Sequence, residues 1–122
     1  MKNNEVYLAM SNQKTGRELA EDLARHLQQP GGWMVWVNMP LGSIMFGNPG
    51  IADVITVAKS YKTTVRIYEV KTTRGDFWGD VNKGKYLRYL ENCNQFYFAT
   101  GAGVVKKEEI PQGCGLITRS DK

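Results

Sequence analysis

The 122-residue sequence is poor in the side chains that many enzymes use as nucleophiles or as metal ligands. It contains one histidine, His26, and two cysteines, Cys93 and Cys114, which lack the paired spacing of a zinc site. A hydrolase driven by histidine is therefore not indicated. The two cysteines are expected to be reduced, partly buried thiols of a cytoplasmic protein.

Long apolar runs are also missing. No stretch approaches the ~18 apolar residues that span a bilayer, and the first residues lack the apolar core of a signal peptide, so no membrane association is expected. The segment Gly101-Ala102-Gly103 lacks the lysine and the helix of a phosphate loop, so no nucleotide cofactor is expected. A content of 42% hydrophobic and 23% charged residues is typical of globular proteins, and the length predicts one domain over residues 1–122.

Carboxylates inside apolar, strand-like runs are the most informative feature that is present. Asp53 lies within 51–57, and Glu69 and Lys71 lie within 65–71; burying an unpaired carboxylate is costly. Strand alternation places Glu69 and Lys71 on one face, about 7 Å apart. Antiparallel pairing of 52–57 with 64–71 would set Asp53 opposite one of them. Two carboxylates suit Mg²⁺ or Mn²⁺, and the lysine could position a water. The alternative is an exposed Glu/Lys salt bridge beside a turn.

Basic residues are concentrated around these carboxylates. Between Lys59 and Arg88 there are eight basic residues and three acidic ones, although the whole chain carries a net charge of only +4. Such a zone would attract a polyanion such as DNA, and a solvated basic surface is the simpler alternative. The candidates for phosphate contacts are Lys62, Arg74, Lys83 and Lys85.

Hydrophobic periodicity predicts a mixed α/β chain. Thr15 and Glu18 form a possible capping box at the start of a helix over 15–29. The run 33–37 fits a strand that is covered on both faces. The remaining predicted elements are strands 52–57 and 64–71 joined by a turn at 60–63, a short helix or turn at 74–80, a helix at 83–92 with Tyr86, Leu87 and Leu90 facing inward, and strands at 95–100 and 115–118.

The order of these motifs resembles the PD-(D/E)XK nuclease superfamily, and within it most closely the small MmcB-type DNA-repair family. The resemblance covers roughly residues 50–118. Three departures are visible: Ala52 replaces the proline of the superfamily name, Gly50 or Ile51 stands where an arginine is common, and Gly84 replaces a tryptophan. The matching positions are Ala52 to Val54, Glu69, Lys71, Arg74, Asp76, Phe77, Asp80, Lys83, Tyr86, Phe96 to Phe98, and Pro111 to Leu116.

The resemblance implies a restriction-endonuclease-like three-layer sandwich, with a mixed central sheet flanked by helices. It also implies an enzyme that hydrolyses DNA with Mg²⁺ or Mn²⁺ in DNA repair or processing. It adds the backbone carbonyl of Val70 as a metal ligand and a glutamate of the first helix, Glu21 or Glu18, to the site. Asp76 and Asp80 are expected to orient the nearby basic residues.

Three questions stay open at the level of sequence. A homodimer is plausible, because a chain this small would need a partner to cut both strands at once. A DNA-binding accessory domain that cleaves nothing is the main alternative function. A structural protein with a salt-bridge ladder is the other alternative.

Overall fold

The computed structural model describes residues 15–29, 31, 33–41, 50–58 and 63–119. Within these residues the elements are two longer helices, one very short helix, five strands and a 3₁₀ turn. In chain order they are α1 (Gly16–Gln28), β1 (Trp33–Pro40), β2 (Ile51–Ala58), β3 (Val65–Lys71), α2 (Arg74–Lys83), α3 (Leu87–Leu90), β4 (Gln95–Thr100), the 3₁₀ turn Lys107–Glu109 and β5 (Cys114–Thr118).

Helix α1 begins where the sequence predicted. The Thr15 side chain accepts a hydrogen bond from the Glu18 backbone N–H at 3.1 Å, and the Glu18 carboxylate accepts one from the Thr15 N–H at 3.0 Å. This capping box satisfies two of the backbone donors that a helix start leaves unpaired. The buried side of the helix is formed by Leu19, Ala20, Leu23 and Ala24.

The sheet is mixed, with the strand order β1-β2-β3-β4-β5. The predicted antiparallel pairing of β2 with β3 is confirmed, β1 pairs antiparallel with β2, and β4 and β5 continue in parallel with β3. The prediction that both faces of β1 are covered was wrong. Its residues alternate between half-buried and exposed, because α1 packs on one face of β1 whereas the helices of the other face pack against β3 and β4.

The helical region after β3 differs from its prediction. Helix α2 ends at Lys83, and the next residue, Gly84, has φ +69 in the left-handed region that glycine adopts at low cost. The predicted helix over 83–92 is therefore reduced to α3, Leu87–Leu90. Leu87 is 52% exposed instead of facing inward, and Tyr89 occupies the buried position.

Helices cover both faces of the sheet, so the chain has an α/β architecture. On one face α1 packs against Val54, Tyr68, Val70 and Ala99. On the other face α2 and α3 enclose a second cluster. Among the described residues no helix is long and apolar enough to cross a membrane. The second cluster is built from Ala52, Ile55, Ile67, Phe77, Tyr89, Phe96, Phe98 and Val105.

Candidate functional site

The candidate site starts where β2 and β3 stop pairing. The last registered pair is Val54 with Tyr68, although β3 continues to Lys71. Beyond that pair the Val70 backbone N–H donates a hydrogen bond to Asp53 Oδ2 at 2.8 Å. One further step in the same register would set Asp53 opposite Glu69. The aspartate is therefore held by the backbone of the strand that carries the other two predicted site residues.

Lys71 connects two acidic side chains, Glu69 and Asp80, into one group. Its Nζ lies 3.8 Å from Glu69 Oε2 and 2.9 Å from Asp80 Oδ2. Asp80 comes from α2 and its side chain is 2% exposed, whereas those of Lys71 and Glu69 are 14% and 12% exposed. The sequence expectation that Asp80 orients Arg74, Lys83 or Lys85 was wrong, because its ion pair is with Lys71.

Burial raises the pKa values of the two strand carboxyls, Glu69 and Asp53. The pKa of Glu69 rises from 4.5 to about 8, first because the group is desolvated and second because Asp53 is close. Desolvation also raises the pKa of Asp53, while the Val70 N–H and the Lys71 ammonium act in the opposite direction. Without a cation, the raised pKa keeps a proton on Glu69 near neutral pH, which an exposed carboxyl group would already have lost.

Tyr89 closes the group from the side of α3. Its hydroxyl donates a hydrogen bond to the Ile51 carbonyl at 3.3 Å. Burial raises the pKa of Tyr89 to about 12, and the next cause is the charge of Glu69. The phenol therefore lies near the carboxylates and stays protonated at physiological pH.

The donor set fits a divalent cation that keeps several water ligands. Glu69 Oε1 and Asp80 Oδ1 are buried and receive no N–H or O–H group from the described residues, so a shared proton or a bound cation would satisfy them. Within those residues no set of three or more His, Cys, Asp or Glu side chains has the geometry of a metal site. Two carboxylates completed by backbone oxygen and water are a ligand set that Mg²⁺ accepts. Asp53 and Glu69 would hold the ion, with the Val70 carbonyl as the third candidate.

The first-helix glutamates are not brought to this group. Glu21 is an exposed residue that pairs with Arg17 at 3.2 Å, and Glu18 belongs to the capping box. Helix α1 packs on the sheet face opposite α2, the helix that supplies Asp80. The acidic residue of α1 that turns toward the sheet is Asp22, whose carboxylate accepts a hydrogen bond from the Arg119 guanidinium.

The basic candidates have different surroundings. Arg74 is an exposed residue that forms a two-point ion pair with Glu109. The expectation that Asp76 orients Arg74 is therefore not supported; its carboxylate faces the Thr72 hydroxyl at 3.5 Å. Lys83 and Lys85 are exposed. Lys62 lies outside the described residues.

The sequence analysis did not assign three residues to the site that lie near it in the structure: Asp80, Tyr89 and Arg88. No local signal marked Asp80 as the partner of Lys71, because that ion pair depends on where α2 packs on the sheet. Tyr89 and Arg88 reach the start of β2 from α3, as the Tyr89 hydrogen bond and the Arg88 contact with Gly50 indicate. No local pattern in the sequence indicates that approach.

Comparison with known proteins supports the fold. No family model matches the chain, and no curated protein matches it. A solved structure of a protein of unknown function from Silicibacter pomeroyi is similar, with a TM-score of 0.65 and 22% sequence identity. The similarity covers 88% of this chain and 66% of that protein. At this identity the likeness concerns the fold alone.

Proposed function

We propose that the chain is a metal-dependent DNA phosphodiesterase with a restriction-endonuclease-like fold. The observation that supports this proposal best is the convergence of Asp53, Glu69 and Lys71 at the point where β2 and β3 separate. The order of antiparallel and parallel strands, with helices on both faces, is compatible with that fold. The basic residues around the group would attract a polyanionic substrate.

The residues divide the chemistry in a definite way. Asp53 and Glu69 would hold the cation, which when bound polarises a phosphoryl oxygen and lowers the pKa of a coordinated water. Lys71 can hold the attacking water and offset negative charge that develops on the phosphate. Asp80 fixes the Lys71 ammonium at 2.9 Å and so acts as a positioning residue. Water would attack phosphorus in line, and the 3′-oxygen of the DNA would leave.

The test is a cleavage assay on plasmid, linear duplex, single-stranded and branched DNA with Mg²⁺ or Mn²⁺. We expect chelator-sensitive cleavage of at least one substrate. Glu69→Gln and Lys71→Met should each reduce the rate at least ~100-fold, the lower end of what a positioned acid–base group contributes. Unfolding curves should show that both variants are folded under assay conditions.

Matched controls make the loss specific. Glu91→Gln and Lys107→Met repeat the same chemical changes at exposed positions, and both should retain wild-type rates. Cleavage that survives Glu69→Gln and Lys71→Met together would refute the proposal. Cleavage lost equally in the control variants would point to a general effect of charge.

A DNA-binding domain without catalysis is the second candidate. It is favoured by one observation: Lys71 is already neutralised by Asp80 in a group whose side chains are at most 14% exposed. This function predicts saturable DNA binding without turnover in Mg²⁺ and in Mn²⁺. It also predicts binding that is unchanged by Glu69→Gln.

A further inference from the structure

One row of side chains connects the candidate site to the edge of the sheet. The strand registers align Trp36 with Ile55, Ile55 with Ile67, and Ile67 with Phe96. These four residues therefore lie side by side on one face. Glu69 follows Ile67 by two positions on the same face, which is also the face that α2 and α3 cover.

Only the β1 end of this row is open. Ile55, Ile67 and Phe96 are at most 9% exposed, whereas Trp36 is 40% exposed. The difference arises because the two helices on this face pack against β3 and β4. Met34, two residues before Trp36 on the same face, is also 40% exposed. Asp53 is a diagonal neighbour of Trp36 across the β1–β2 pair, about 7–8 Å away at the backbone.

A cation lies on the other side of Asp53. The Arg88 side chain packs over Gly50, where an added Cβ would meet Arg88 Cδ at 2.8 Å and Nη1 at 3.3 Å. No carboxylate of the described residues forms an ion pair with Arg88, in contrast to Arg74. Along β2 the order is therefore Arg88 over Gly50, then the carboxylate of Asp53, then the exposed Trp36 indole, which lies on β1 opposite Ile55.

This order matches the chemistry of one unpaired nucleic acid strand. An exposed indole stacks on a base only when that base is not paired and stacked within a duplex, and such stacking accepts any base. A guanidinium binds phosphate oxygens in a bidentate way. A blunt duplex would present only its phosphates and could use Arg88 but not Trp36.

We infer that the substrate carries an unpaired nucleotide next to the scissile phosphate, with its base on Trp36 and a neighbouring phosphate on Arg88. The inference rests on the proposed function and names its substrate class. It assigns Trp36 to specificity for unpaired DNA and Arg88 to affinity for the backbone of any DNA.

The test is fluorescence anisotropy with a labelled single-stranded oligonucleotide and the matching blunt duplex, in chelator so that no turnover occurs. Trp36→Ala should weaken single-strand binding about 5- to 100-fold and change duplex binding less than twofold. Trp36→Phe keeps an aromatic face and should restore most of the affinity. Arg88→Ala should weaken binding of both substrates and lower the salt slope by about 1. Arg88→Lys should restore that slope, and Lys107→Ala serves as the control.

The outcomes separate the two proposals. A wild-type protein that binds neither oligonucleotide, and cleaves none with metal, contradicts the proposed function itself. The inference about unpaired DNA alone is overturned if the wild-type protein cleaves DNA but Trp36→Ala leaves single-strand binding unchanged. The same conclusion follows if Trp36→Ala weakens the binding of both oligonucleotides equally. A Trp36→Ala variant that unfolds at the same urea concentration as wild type excludes misfolding as the cause of a loss.

Discussion

The ion pair between Lys71 and Asp80 should be one of the most sensitive points of the fold. Its atoms lie 2.9 Å apart, and its side chains are 14% and 2% exposed. At an effective dielectric constant of about 20 the attraction amounts to about 6 kcal/mol, and much of it is offset by the desolvation of both groups. Removing one partner leaves the other charge buried, which costs about 3–5 kcal/mol. Asp80→Asn preserves the volume and so isolates the loss of charge.

We therefore expect Asp80→Asn to lower the free energy of unfolding by about 3–5 kcal/mol. Domains of this kind have about 5–15 kcal/mol in total, so the loss should move the thermal midpoint by about 10–20 °C. The measurement is urea unfolding followed by circular dichroism. In a double-mutant cycle with Lys71→Met, the double variant should lose at least ~2 kcal/mol less than the sum of the single losses.

The matched control is the exposed pair of Arg17 with Glu21, whose side chains are 77% and 47% exposed. Glu21→Gln should change stability by less than about 0.5 kcal/mol, because water and ions screen that pair. If Asp80→Asn costs no more than Glu21→Gln, the reasoning about a buried, mutually dependent charge group is refuted.

Three further predictions concern packing, titration and helix capping. Gly115→Ala should lower the free energy of unfolding by about 1–3 kcal/mol, because the new Cβ would lie 2.6 Å from the Tyr97 ring. The control is Gly79→Ala, where nothing lies within 4 Å of the new Cβ. Equal urea midpoints for the two variants would contradict this account of the packing around Gly115. The pKa of Glu69 is raised in the metal-free fold, so the folded protein holds this proton more tightly than the unfolded chain does. The protonated Glu69 therefore contributes its full stability below pH 4.5, and this contribution is lost as the pH rises to about 8. Glu69→Gln should therefore stabilise the protein in chelator by a few kcal/mol more at pH 9 than at pH 5, and a difference that is independent of pH would disprove this. Thr15→Ala should cost about 1 kcal/mol in urea unfolding, whereas a neutral effect would mean that the capping box contributes nothing.

Local patterns predicted much of the fold. The capping box at Thr15 depends on residues three apart, and the β2–β3 pairing follows from two adjacent apolar runs. The exposure of β1 was mispredicted, because an apolar run does not reveal whether a helix will cover it. The predicted helix over 83–92 was too long, because the prediction followed the hydrophobic periodicity and overlooked Gly84, which ends α2.

The sequence by itself determined the elements of the candidate site. Alternation along β3 sets Glu69 and Lys71 on one face, and the short connection to β2 brings Asp53 beside them. Both are consequences of backbone geometry within one hairpin, so no distant contact is needed.

Only the tertiary structure decided which charges meet. Asp80 reaches Lys71, Arg74 pairs with Glu109, and α1 keeps Glu21 away, because these outcomes depend on where whole helices dock on the sheet. Docking is governed by the burial of apolar surface. Charged side chains at the edges then pair with whatever group the packing places within reach, and no local sequence signal specifies that choice.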